Sequence, residues 1–161
     1  MFFSLMHIVH VIAVVLWIGG LAFITFLLLP MIIRMKDPLQ KVLLFQRIEH
    51  RFAPLARVYN IITGISGVIM VLTMGWQRII FTRAGLPLLV MSAVWVMWFV
   101  MLFGLEPLIV RRMLDNMARG GTNMDIEGVF NRMNRMHWVL VIVSIVAIIS
   151  GSVFAHGPLF F

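Results

Sequence analysis

The stretch MFFSLMHIVHVIAVVLWIGGLAFITFLLLPMII, residues 1–33, contains no Asp, Glu, Lys or Arg. About 20 apolar residues in an α-helix cross the roughly 30 Å of hydrocarbon in a bilayer, at about 1.5 Å per residue. This run is longer than that, and three more uncharged runs follow at 58–77, 84–105 and 136–161. The whole chain of 161 residues is 62% hydrophobic and 12% charged, with mean hydropathy +1.05. A soluble domain carries about twice that charged fraction. The expected fold is all-α: an integral membrane four-helix bundle forming one domain over 1–161, with helices near 3–33, 53–75, 85–110 and 133–156. A secretory leader would show a basic flank and a much shorter apolar core, so the first segment is expected to stay as a membrane span.

Basic residues set the expected orientation. Ten of them lie in the stretches 34–51 and 111–135, whereas the connection at 76–84 holds only Arg78 and Arg83. The positive-inside rule then puts the first and third loops in the cytoplasm and both termini outside, on the periplasmic face. The net charge of +7 is accounted for by loops lying beside anionic lipid headgroups. The lipid bilayer is thus the first expected partner, and no nucleic-acid partner is expected. With no Cys in the chain, disulfides, thiolate-bound zinc and iron–sulfur clusters are excluded. KDPLQKVLLFQRIEHRF, from Lys36, spaces Leu39, Val42, Leu43 and Ile48 as an amphipathic helix running into the second span. Thr122 or Asp125 is placed to cap an extension of the fourth helix.

Five histidines divide by this topology. His7 and His10 lie near the outer end of the first helix and His156 at the outer end of the fourth, while His50 and His137 lie at the cytoplasmic ends of the second and fourth. Imidazole costs free energy in hydrocarbon unless something binds it. His10, several residues deep in an apolar helix, is therefore the leading ligand candidate. His7, 300° around the wheel, is either a second ligand or a partner that orients the first. His50, His137 and His156 each have an interfacial reading beside a metal-binding one. Bis-imidazole ligation would use His10 or His7 with His156 as an outer pair, and His50 with His137 as an inner pair. His137 and His156 are 19 residues apart, about 28 Å along a helix, so the two pairs cannot share one haem.

Arg57 and Glu106 are expected at one depth, either as a buried ion pair or with Arg57 on a haem propionate, for which its planar fork is suited. Gly19, Gly20, Gly64, Gly67 and Gly151 suit close helix packing, or the passage of a flat macrocycle between helices. Met113, Met117, Met124, Met133 and Met136 are available to Cu(I), although Met is also a common filler of membrane surfaces.

HVIAVVLWIGGLAFITFLLLP, from His10 to Pro30, resembles the first helix of the CopD family of membrane proteins linked to copper resistance and uptake: His, six mostly apolar residues, then Trp-hydrophobic-Gly-Gly. RFAPLARVYNIITGISGV, from Arg51, is similar to that family's next helix. The layout also resembles HemJ-type protoporphyrinogen oxidases, through His10 and Trp17, RIEHRF and NRMNRMHW. Those enzymes use a Lys early in the third span, where this chain reads TRAGLPLLVMSAVW. The resemblance implies a multi-pass protein of the bacterial inner (plasma) membrane that binds one or two haems b, with His10 as axial ligand. Its role would be that of an electron carrier or membrane oxidoreductase working with a quinone or a periplasmic redox partner, with a homo-oligomer as a further expectation. The alternatives are CopD-like copper binding through His7, His10 and Met6, HemJ-like porphyrinogen oxidation, and a non-catalytic subunit of a membrane complex.

Overall fold

Long uncharged runs have no way to satisfy their backbone in hydrocarbon except as helices, and helices are what they form. The computed structural model describes residues 1–105 and 126–156. Four helices are long and apolar enough to cross a membrane: α1 (Phe2–Ile33), α2 (Pro38–Met74), α3 (Arg83–Gly104) and α4 (Ile126–His156). Short connections make α1 and α2, and α2 and α3, antiparallel neighbours. α1 lies mainly along α2, and α3 along α4, while narrower contacts between α1 and α4 and between α2 and α3 close the ring. The protein is thus an all-helical, multi-pass membrane bundle. One end, the basic end, holds the α1–α2 connection and the start of α4. The other, the terminal end, holds Phe2, His156 and the α2–α3 connection.

The helices outrun the apolar segments that announce them. The amphipathic stretch after Lys36 and the second span form one continuous helix of 37 residues, about 55 Å long against about 30 Å of hydrocarbon. Its start is set by Asp37, whose Oδ1 accepts from the backbone N–H of Leu39 at 2.9 Å and of Gln40 at 3.3 Å, with Pro38 in the first turn. Gly75, at φ 70°, ends it in the left-handed region that favours glycine. Pro54 lies inside α2 without stopping it. α4 likewise begins at Ile126, earlier than its uncharged run; Thr122 and Asp125 lie outside the described residues.

Two π-helical turns interrupt the spans, Ile24–Leu28 in α1 and Met101–Leu105 in α3. Each ends two residues before a proline in the sequence, Pro30 and Pro107. Proline has no N–H for the carbonyl four residues back and its ring crowds that carbonyl. In α1 the wider turn just upstream of Pro30 relieves the crowding.

Two buried apolar clusters fill the bundle. One joins Trp17 and Leu21 of α1 with Ala56, Trp98, Leu102, Leu140 and Val141, and its Trp17 and Trp98 rings meet edge to face at 5.2 Å. The second lies nearer the basic end and joins Ile24, Leu29 and Ile32 with Val42 and Phe130. There the buried Lys41 ammonium reaches Glu127 of α4 at 3.8 Å. At the terminal end an aromatic chain runs from Phe3 to Trp76 to Phe154, with centroids 5.9 and 4.8 Å apart.

Close helix approach rests on glycine at particular points. A Cβ at Gly64 would overlap the Trp95 indole of α3, and one at Gly20 would overlap the Phe52 ring, whereas nothing lies within 4 Å of a Cβ at Gly19. Overpacking typically costs about 1–3 kcal/mol. Gly64→Val is expected to lower the thermal midpoint of the purified protein by an amount in that range, and Gly19→Ala to leave it unchanged or raise it. Equal effects would show that the α2–α3 approach does not depend on Gly64.

Candidate functional site

Hydrocarbon leaves a polar side chain two resolutions, a bond to its own helix or a bond across to another. Several hydroxyls take the first: Thr25 Oγ1 donates to Leu21 O at 2.8 Å and Ser144 Oγ to Leu140 O at 2.7 Å. His10 takes the second. Its Nδ1 lies 3.0 Å from the Thr63 carbonyl and 3.1 Å from Ser66 Oγ, both on α2. A carbonyl oxygen only accepts, so Nδ1 carries the proton. Ser66 Oγ itself donates to Ile62 O at 2.6 Å, which leaves its oxygen free to share the imidazole N–H. The Nδ1–H tautomer leaves the Nε2 lone pair available, and Nε2 makes no hydrogen bond among the described residues.

The seat for this ring is provided by small residues of α2. A Cβ at Gly67 would stand 3.3 Å from His10 Cε1, so a larger residue there would press on the imidazole. Toward the basic end from Thr63 the same side of α2 buries Asn60 completely. Trp95 Nε1 donates to the Asn60 backbone carbonyl at 2.9 Å, yet the Asn60 amide atoms Oδ1 and Nδ2, and Thr63 Oγ1, are buried without a hydrogen-bond partner among the described residues. Buried polar atoms of this kind are rare and call for a water or a ligand group. Trp98 Nε1 donates to Ser144 Oγ at 3.1 Å, tying α3 to α4. Beyond His10 toward the terminal end, Met70 and Leu88 are the buried apolar side chains among the described residues. His10 therefore lies at the floor of the less filled half of the bundle.

The other candidates lie elsewhere. His7 is exposed and stacks on Phe3 of its own helix at 6.1 Å, so the 60° between it and His10 is enough to carry it off the α1–α2 seam. His156 is exposed at the end of α4, its Nδ1 donating to Ser152 O one turn back at 3.1 Å. The Phe3–Trp76–Phe154 chain puts that end level with the first turn of α1, about two helical turns outward of His10. His50 is exposed, and half-buried His137 donates from Nδ1 to Met133 O of its own helix at 3.0 Å. Half-buried Arg57 donates from Nε to the carbonyl of Leu102, in the π-helical turn of α3, at 3.0 Å. Glu106, Met113, Met117 and Met124 lie outside the described residues. Met6 and Met133 are half-buried and Met136 is exposed. No group of three or more His, Cys, Asp or Glu stands ready to hold a metal ion among the described residues. Thr63, Ser66 and Asn60 are the residues that sequence reasoning passed over. Their signal was a polar position at every turn of an uncharged run.

No protein-family model, curated protein or solved structure matches this chain.

The Trp98–Ser144 bond gives a direct test of how much the buried polar pairs matter. Ser144→Ala leaves a buried indole N–H unpaired, at about 1–3 kcal/mol. Trp98→Phe with Ser144→Ala should cost clearly less than the sum of the two single changes. Strict additivity in denaturation of the purified protein would mean that the two side chains are not coupled.

Proposed function

We propose that this chain is a small b-type haem protein of the bacterial inner (plasma) membrane, with His10 Nε2 as the axial ligand. The basic end faces the cytoplasm, and the protein carries electrons to or from a membrane quinone or a periplasmic partner. The observation that carries the reading is the imidazole of His10, held inside an apolar bundle by bonds that use Nδ1 alone.

The residues present fit the group. A metal-ligating His characteristically donates its other ring N–H to a carbonyl or carboxylate, which fixes tautomer and ring orientation and raises ligand basicity. The Thr63 carbonyl and Ser66 hydroxyl do this here. The partnerless amide of Asn60 and hydroxyl of Thr63 supply polar atoms beside that seat. The resemblance of His10–Pro30 to the CopD and HemJ-type first helix points the same way. Bound haem would supply one-electron exchange, with a potential tuned by its axial ligand and the hydrogen bonds around it. What the chain contributes is an oriented imidazole, apolar walls that exclude water, and a fixed position across the membrane. Exposed His7 and His156 are subordinate to His10 in this reading.

Protein purified from haem-replete cells is expected to be red, with reducible Soret and α bands. His10→Ala should abolish them and His7→Ala should not. Ser66→Ala should keep the spectrum but weaken haem retention about tenfold, the lower end of the effect of losing a ligand's hydrogen-bond partner. A colourless, metal-free preparation would overturn the proposal, and a colourless one with stoichiometric copper would make His10 a copper ligand instead. Reporter fusions at residues 40 and 80 should read cytoplasmic and external, and the reverse pattern would invert the orientation.

A further inference from the structure

Near the basic end an open groove of about 300 Å³ runs between α1 and α2, lined by Gly20, Phe23, Ile24, Leu28, Ile48, Arg51, Phe52 and Leu55. Its floor follows from the backbone. The π-helical turn Ile24–Leu28 widens α1 there, and Gly20 lets the Phe52 ring of α2 approach closely, since a Cβ would overlap that ring. The walls are otherwise apolar, and Arg51 is the one charged residue lining them among the described residues. The Arg51 side chain is exposed and has no hydrogen bond or ion pair among the described residues.

The depth of the groove says what meets it. Phe26 of α1 packs on Trp138 of α4 at 5.1 Å, and Trp138 lies three residues after Arg135, the last arginine before the uncharged run of that helix. Tryptophan at such a junction marks the boundary between hydrocarbon and headgroups. Gly20, Phe52 and Leu55 lie on the hydrocarbon side of this level, and Arg51 is close enough for its long side chain to reach the headgroups. An acyl chain is the apolar occupant this layer offers, and a guanidinium with no partner among the described residues is complementary to a phosphate.

We infer that the α1–α2 groove is a specific site for an anionic phospholipid, one acyl chain lying against Gly20, Phe52 and Leu55 and the headgroup held by Arg51. The inference rests on the groove alone and holds whether or not His10 binds haem.

The test uses the full chain in nanodiscs and detergent, with phosphatidylglycerol and phosphatidylcholine as probes and native mass spectrometry as readout. One phosphatidylglycerol should be retained in preference to phosphatidylcholine. Arg51→Gln should cut that preference about fivefold, the effect of one basic residue at an anionic surface. Arg47→Gln, one turn away and outside the groove, should leave it in place. Leu55→Trp, which fills the groove from an exposed position, should reduce retention of either lipid. Should Arg51→Gln fail to fold, Arg51→Lys and Leu55→Trp decide between charge and shape. Equal retention of the two lipids, a preference unchanged by Arg51→Gln or Leu55→Trp, or a chain dimer in place of bound lipid would each overturn the assignment.

Discussion

Inside a bilayer, water answers no hydrogen-bonding group, so each polar atom carried into the apolar layer has to find its partner within the protein. Much of this bundle can be understood as the result. Hydroxyls turn back onto their own helices, as Thr25, Ser144 and Thr73 do. Four larger side chains bridge instead, and each bridge ties a pair of neighbouring helices. His10 joins α1 to α2, Trp95 and Arg57 join α2 to α3, and Trp98 joins α3 to α4. Apolar packing between membrane helices tolerates sliding and rotation, because lipid offers similar contacts. Directional bonds do not, and they fix which faces meet.

Proline shapes the same helices through what it cannot donate. Pro30 follows the π-helical turn of α1, and the π-helical turns of α1 and α3 are where outside groups engage the spans. In α3 the turn presents the Leu102 carbonyl to Arg57. In α1 it widens the groove beside Gly20 and Phe52. Local strain in the ladder thus becomes local chemistry at two depths of the bundle.

The two ends differ in what fills them. Toward the basic end the helices extend well past the apolar layer, close a second buried cluster around Leu29 and Ile32, and tie α2 to α4 through Lys41 and Glu127. Toward the terminal end the buried apolar side chains are few, and small residues of α2 surround an oriented imidazole. Rigid support at one end and a polar seat at the other suit a scaffold that positions one group in the membrane.

The sequence by itself determined the number and kind of elements, because run length against bilayer thickness and the exclusion of charge are one-dimensional properties. It also singled out His10, since an imidazole deep in an uncharged run needs a reason wherever the helix turns. It ranked His10 above His7 by depth alone and left His7, three residues away, as a second ligand or an orienting partner. That distinction is an angle relative to α2, and only the packing of α1 against Thr63 and Gly67 sets it. Asn60, Thr63 and Ser66 were hidden for a similar reason, as small polar residues gain meaning from what faces them. The run of α2 from the amphipathic stretch into the second span was legible in the spacing after Lys36, and it is held as stable helix where Val42, Ile48 and Phe52 pack on α1 and α4. Periodicity belongs to the chain; who sits opposite belongs to the tertiary structure, because contact across helices depends on crossing and register that no local pattern encodes.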